Sequence, residues 1–460
     1  MMRVATTLLS PREMGHISLV LTTIAFFALF LINPVGMFIN RRLHTWQANG
    51  LVRHYLTRYL DYLILVGLFS AMILPLVEVI GRVNFGIPIF WLIVLVFGSL
   101  VFNTINQTSI PSLNLLGHSR WFIFLSISTL TASFIFATLL VEFIRPTAQY
   151  WVLGLLLGQI LVGFIGIKVL FSELPKSMTP HEYPMIRKGH LKALFSFAWP
   201  IAISAGLGWV QGQGYRYILR EQLGFSQLGL FIAGYGISAG MISAFESVLT
   251  TYFQPRLYRD INSDHTTAQI QSWQRYALSV IPALLLTGAL IMILAPELTR
   301  IFLGANFQSA KNYVIWGALA EATRVLMGIY SLIAHIYMRT QWLILPGLIG
   351  AVLSVTLSVL LLPKLGAAGA GVSLTVAGFA AVVTMHFMLA GRMGGEIPIR
   401  PIFIAGISAV GLCGITLGLR RFLGETNWTK MIEILIPIGV LYSGLMYFQL
   451  KDHMKDEQKT

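Results

Sequence analysis

The chain has 460 residues, 56% of them hydrophobic and only 11% charged, with a mean hydropathy of +0.75. Soluble domains carry about twice that charge, so 32 bases and 18 acids are too few to cover a water-exposed surface. A soluble enzyme, a disordered chain and a collagen-like fibre are excluded, as is a protein with a single membrane anchor. The lone cysteine, Cys413, leaves no disulfide framework or thiolate metal cluster within one chain. The net charge of +14 is scattered over short connections. It reads as a topology signal and not as a nucleic-acid surface.

A membrane helix needs about 20 apolar residues. Taken in chain order, such runs fall at 16–39, 60–80, 88–112, 121–142, 150–171, 193–218, 227–252, 276–296, 312–336, 341–362, 366–389, 401–419 and 431–449, about 13 spans. The class is an all-α polytopic membrane protein, because β-barrel strands show weak period-2 segments instead of long apolar runs. Pro34, Pro75, Pro200 and Pro282 fall inside spans, where membrane helices tolerate them. No connection is long enough to hold a separate soluble domain.

Alternate connections divide the bases unequally. One set, with Arg41, Arg42, Arg256, Arg339 and Lys451 among its members, holds 18 of the 32; the other holds 11. The richer side is expected to be cytoplasmic, with the C-terminus on it.

An internal repeat organises the chain. Leu9-Ser10-Pro11-Arg12-Glu13-Met14-Gly15 precedes the first span, and Leu223-Gly224-Phe225-Ser226-Gln227-Leu228-Gly229 precedes the seventh. Both read Leu, small residue, three variable positions, apolar residue, Gly. Without gaps, Arg42 then falls on Arg256 and Tyr62 on Tyr276; with a slightly larger offset, Trp121 falls on Trp342. Corresponding spans are an even number of crossings apart, so the repeats are parallel, and two such bundles enclose a cleft. The expected organisation is an N-lobe over 1–175 with five spans, a C-lobe over 190–390 with six, and two extra helices over 400–450. The span 193–218 has no full-length partner before Leu9, so a 14-span design with its first helix missing is expected.

The Leu9–Gly15 start, the Asn33-Pro34-Val35-Gly36 to Arg41-Arg42 exit, the Leu116-Gly117-His118-Ser119-Arg120 turn, Phe197-Ala198-Trp199-Pro200 and the Gly366–Gly371 segment carry a resemblance. The chain resembles the polysaccharide-transporter branch of the multidrug/oligosaccharidyl-lipid/polysaccharide exporter superfamily, near the O-antigen flippases and more distantly the lipid II flippase. That resemblance implies two six-helix lobes. It also implies transport of undecaprenyl-diphosphate-linked oligosaccharide across a bacterial inner membrane, for lipopolysaccharide and related surface polysaccharides. The implied partners are that lipid-linked oligosaccharide, the membrane lipids, a polysaccharide polymerase and a chain-length regulator. No nucleic acid, cofactor or metal is implied.

Ionisable groups within spans mark candidate sites. On the ninth span Glu321, Arg324 and His335 share a face, and the repeat sets Asn103 opposite Arg324. On the sixth, Trp209, Gln213, Arg216 and Arg220 share a face; on the seventh, Ser243, Glu246 and Thr250 do. Arginine binds phosphate oxygens bidentately and stays charged, so Arg216 and Arg324 are the candidate diphosphate ligands, with Trp209 to stack on sugar. Arg42 and Arg256 form a candidate cytoplasmic gate. Competing readings stand beside each. Glu321 and Arg324 are i,i+3 and can neutralise each other. Arg216 and Arg220 can snorkel to a membrane surface. Glu246 can pair with a loop base, His335 can be a packing group, and Arg42 and Arg256 can be topology anchors only. No P-loop, His-Glu-x-x-His or nucleophile elbow is present, so a transporter is expected and not an enzyme. The alternatives are a cation-coupled small-molecule or drug exporter of the same superfamily and, further off, an integral-membrane polysaccharide polymerase or glycosyltransferase.

Overall fold

The computed structural model describes residues 1–48, 50–81, 84–174, 188–261, 266–337, 339–389, 399–423 and 428–457, and no strand occurs among them. By contact, the chain divides into two compact units, Arg3–Gly229 and Leu230–Thr460.

The first unit contains α1 (Met2–Leu8), α2 (Pro11–Phe27), α3 (Asn33–Ala48), α4 (Val52–Gly81), α5 (Ile89–Gly98), α6 (Thr104–Leu115), α7 (Ser119–Phe143), α8 (Ala148–Glu173) and α9 (Lys188–Gln213), and the start of α10 (Tyr215–Ile261). Pro34 has no N–H to donate, and the turn before it, Ala28–Ile32, widens into a π-helix that joins α2 to α3. A second π turn, Ser99–Asn103, joins α5 to α6. The second unit contains the rest of α10, then α11 (Thr266–Ile293), α12 (Ala295–Phe302), α13 (Lys311–Ile336), α14 (Ile344–Leu365), α15 (Ala368–Leu389), α16 (Ile399–Leu423) and α17 (Trp428–Glu457).

Among the described residues, twelve helical stretches are long and apolar enough to cross a membrane, one of them being the 60 residues Leu194–Phe253. As one unbroken helix at 1.5 Å per residue, that stretch would be roughly 90 Å long, about three hydrocarbon thicknesses. It is interrupted at Gly214, between α9 and α10, and at Gly224, whose φ of 84° and ψ of 171° no α-helix contains. It therefore holds both spans expected at 193–218 and 227–252. Helix α9 belongs by contact to the first unit, whereas the repeat had grouped residues 190–390 together.

Both repeat motifs do the same local work. Ser10 caps α2 by accepting the Glu13 N–H at 3.3 Å, with Pro11 in the first turn. Gly224, 214 positions later, breaks α10 at the equivalent place. A short helix precedes each break, Met2–Leu8 in one case and Tyr215–Leu223 in the other. The two motifs also pack on each other within the first unit. A Cβ on Gly15 would overlap the Phe225 carbonyl, and one on Gly229 would overlap the Pro11 carbonyl. Pro11 and Phe225 are equivalent under the offset, and so are Gly15 and Gly229, so this crossing is symmetric. It brings two helix backbones together with nothing between them, which only glycine permits.

In the second unit, α11 is the hub. The Trp273 indole N–H donates to the Ile329 carbonyl at 2.9 Å, tying α11 to α13. The Thr287 and Tyr442 hydroxyls meet at 2.8 Å, tying α11 to α17. Arg420, in the last turn of α16, donates through Nε and Nη2 to the two carboxylate oxygens of buried Glu297 at 3.0 and 2.6 Å, and through Nη2 also to the Ile293 carbonyl. The two C-terminal helices are thus fastened to the second unit by polar bonds in an apolar setting.

Two outcomes are expected in thermal unfolding of the detergent-solubilised protein. Val at Gly15 or Gly229 forces backbones apart and costs about 3 kcal/mol or more, whereas Ala at Gly208, which has no neighbour within 4 Å, is tolerated. Glu297→Ala leaves Arg420 half-buried without its carboxylate, a loss of about 3 kcal/mol, and uncouples α16 from α12.

Candidate functional site

Among the described residues, each unit carries a polar cluster that includes arginines singled out in the sequence. In the first unit, the cluster joins α2 to the α9–α10 segment. Thr22 and Thr23 give their hydroxyl protons to the Ser18 and Leu19 carbonyls one turn back, at 2.7 and 2.8 Å. Their oxygens are then acceptors. Arg216 Nη1 donates to Thr22 Oγ1 at 2.8 Å, and the Tyr217 hydroxyl donates to Thr23 Oγ1 at 2.9 Å. The Trp209 indole N–H donates to the Thr22 carbonyl at 3.0 Å, which holds its ring edge-on to Phe26, with centroids 5.0 Å apart. Arg216 also lies by the Tyr215 ring, 5.9 Å from its centroid. Among the described residues Arg216 has only neutral partners.

Arg220, one helical turn further along, differs. Its Nη1 pairs with Glu221 at 2.5 Å, and its side chain is 10% exposed against 70% for the acid. Its Nε is buried with no hydrogen-bond partner among the described residues. A cavity of about 670 Å³ opens here, bounded by Phe26, Leu74, Phe85, Trp209, Tyr217 and Arg220.

In the second unit, α13 supplies Glu321 and Arg324, and α10 supplies Tyr235 and Glu246. Arg324 Nε binds Glu321 Oε2 at 2.6 Å, and Arg324 Nη2 binds Glu246 Oε2 at 2.7 Å. Glu321 is 7% exposed and Arg324 49%, and the Tyr235 hydroxyl donates to the other Glu321 oxygen. Two carboxylates share one guanidinium, so the cluster carries an excess negative charge when both are ionised. The neutralising i,i+3 pair anticipated for Glu321 and Arg324 therefore forms, and Glu246 joins it from a second helix instead of pairing with a loop base.

The remaining sequence candidates are spread out. Asn103 ends a π turn and accepts a long, 3.4 Å hydrogen bond from Gln107. Gln213 ends α9. Arg42 is exposed, with its guanidinium 5.4 Å from the centroid of the Phe38 ring. The side chains of His335 and Arg256 lie outside the described residues. Sequence reading missed Thr22, Thr23 and Tyr235, since hydroxyls in apolar helices look like ordinary back-bonded packing groups. It also passed over Glu297, the carboxylate that holds Arg420. An acid in the stretch Ile293-Leu294-Ala295-Pro296-Glu297 was the available signal.

The fold is that of a known class of membrane transporter. It is similar to a multidrug resistance MATE family transporter of the MOP superfamily in an inward-facing conformation: TM-score 0.68, 14% identity, over 85% of this chain and 92% of that one. It is also similar to the lipid II flippase MurJ in an inward closed conformation: TM-score 0.59, 15% identity, over 96% and 98%. At such identities the likeness concerns the fold. No curated protein matches the chain in sequence. The family model described as "Polysaccharide biosynthesis protein" matches residues 4–312. The chain belongs to that family, in keeping with the polysaccharide character that the order of its motifs implied.

The shared guanidinium makes a testable pair. Arg324→Gln leaves Glu321 buried beside a second acid, and stability should fall by about 2 kcal/mol, less than for a fully buried pair because Arg324 is half exposed. Glu321→Gln combined with Arg324→Gln should cost less than the sum of the two single changes. Additive losses in thermal unfolding would show that the two residues do not interact.

Proposed function

We propose that the chain is a flippase that moves undecaprenyl-diphosphate-linked oligosaccharide across the bacterial inner membrane by alternating access, for cell-surface polysaccharide biosynthesis. The observation that carries this reading is Arg216: a guanidinium set among membrane helices whose partners are a threonine hydroxyl and a tyrosine. A cation within a bilayer is costly, and hydroxyls do not neutralise it. An anion that arrives and leaves would, and a diphosphate matches the planar fork. Membership of a polysaccharide-biosynthesis family and a fold similar to that of a lipid II flippase support the same substrate class.

Trp209 and Tyr217 supply aromatic faces for sugar beside the arginine. Arg324 is an accessory ligand that an anion recruits by displacing a carboxylate. Arg42 and Arg256 form the cytoplasmic gate: two bases repel until a diphosphate bridges them, so the ligand discriminates between open and closed mouths. The C-terminus is cytoplasmic, and a polymerase and a chain-length regulator act on the delivered product.

A second reading, a cation-coupled exporter of small molecules, draws support from the Glu246–Arg324–Glu321 cluster alone, since an excess carboxylate suits a coupling cation. Complementation of a flippase-null strain separates the two. Arg216→Ala should abolish complementation at unchanged protein level, and Arg216→Lys should restore it in part, a point charge lacking the bidentate fork. Full complementation by Arg216→Ala, with loss confined to Glu246→Gln and Glu321→Gln, would favour the exporter.

A further inference from the structure

We infer that the cavity of the first unit is a binding site for an isoprenoid chain ending in a phosphate, with Arg220 as the headgroup ligand. The identity of the lipid rests on the proposed function; the site itself rests on the following geometry.

The cavity, of about 670 Å³, is in the size range of pockets that hold small ligands. Its lining combines two chemistries. Arg220, Glu221 and Gln222 are its polar members, just before the Gly224 break in α10, and Gly81 at the end of α4 and Phe85 in the connection that follows line it with them. Helix ends of membrane proteins lie at the headgroup level, so this is where a phosphate would sit. From there the lining runs along α4 from Gly81 back to Ile73 and along α2 at Phe26 and Phe27. Eight residues of α4 reach roughly 12 Å towards the hydrocarbon at 1.5 Å each. That stretch of wall is apolar, which fits an isoprenoid chain and offers nothing to the hydroxyls of a free sugar.

The second observation is the guanidinium. Arg220 is nine-tenths buried, yet its Nε has no partner among the described residues, and its paired acid faces solvent. A buried N–H left without an acceptor is unfavourable. A phosphate oxygen among these polar members satisfies it with a charge-assisted bond. The Glu221 carboxylate, already exposed, can be released to water in exchange. Tyr217 and Trp209, both cavity-lining, spend their polar atoms on Thr23 and Thr22. They therefore present ring faces, and no free polar atoms, to the cavity.

The site is distinct from Arg216, which binds Thr22 and is not among the groups bounding the cavity. A lipid held there keeps its phosphate at the helix ends. The arrangement suits a carrier lipid entering or leaving the protein sideways from the bilayer.

The test uses the full chain in detergent micelles, with a diazirine-bearing farnesyl diphosphate as photoprobe and mass-spectrometric mapping of the label. Labelling is expected on peptides containing Ile73–Gly81 and Thr23–Phe27. Unlabelled farnesyl diphosphate should compete; farnesol and inorganic pyrophosphate should not. Arg220→Gln should weaken labelling at least about tenfold, as loss of a hydrogen bond to a charged group does, and Arg220→Lys should retain part of it. Equal competition by farnesol would show that no anion is recognised. Equal competition by pyrophosphate would make the occupant a free anion. Label spread over the lipid-facing helices would deny the site altogether. Each of these outcomes overturns the inference in the wild-type protein, whether or not the variants fold. Site-specific labelling in a protein that fails to complement a flippase-null strain would leave the site standing and remove the proposed function.

Discussion

The crossing of two helix backbones at Gly15 and Gly229 sets the geometry on which the first unit depends. With a carbonyl oxygen where each Cβ would be, neither helix can slide or rotate against the other. Register is therefore set at the membrane end of α2. Seven residues on from Gly15, two helical turns along the same face, comes Thr22. Running back from Phe225 on the other strand of the crossing come Tyr217 and Arg216. The hydrogen bonds from Arg216 to Thr22 and from Tyr217 to Thr23 are made where that register places the side chains. The polar cluster and the cavity beside it are consequences of a contact two turns away that itself contains no side chain.

Charge is treated differently in the two units, and the difference has a physical basis. Arg324 has two carboxylates within 2.7 Å, an arrangement that is self-sufficient electrostatically and resists disruption, because removing any member leaves an uncompensated charge. Arg216 has hydroxyl partners, which orient a guanidinium without cancelling it. An oriented cation lacking a counter-ion pays in solvation free energy in its empty state, and an anionic ligand recovers that cost on binding. A self-neutralised cluster must first break a bond. The two arginines, matched in sequence reading as equivalent phosphate ligands, thus differ in how readily each meets an anion.

The helical class, the spans and the repeat were legible because they are dictated by solvent. A chain with 11% charged residues has to hide its backbone from lipid, and only helices do so one segment at a time. The motif Leu-small-x-x-x-apolar-Gly was legible because a backbone crossing demands glycine at a set spacing. The partners of each charge were not. The sequence places Glu321 and Arg324 on one helix face, and that pairing follows from spacing alone. Glu246, 78 positions before Arg324, reaches it through tertiary packing that no periodicity encodes. Thr22 and Thr23 were invisible for a related reason: a threonine that back-bonds to its own helix looks inert until a donor arrives from a distant segment. The break at Gly224 falls in the connection read between 193–218 and 227–252, whereas the interruption at Gly214 was missed because hydropathy runs through it unchanged, and backbone conformation at a glycine leaves no mark in a sliding average.

The repeat explains why framework and chemistry separate so cleanly. Under the offset that maps Gly15 onto Gly229, Glu246 falls on Ile32 and Tyr235 on Leu21; under the larger offset, Glu321 falls on Leu100 and Arg324 on Asn103. Every charged member of the second cluster has a neutral counterpart in the first repeat, and most are apolar. Arg216, in turn, falls on Met2. The glycines are retained in both halves because any other side chain would collide with a backbone carbonyl, a penalty identical in each copy. A charge within a bilayer is under no such symmetric constraint: it is costly in either copy, and it is tolerable only where a partner or a ligand meets it. Duplication therefore preserves the contacts that make the fold and lets the ionisable residues diverge, and the positions at which the two halves differ most in charge are those at which chemistry is to be sought.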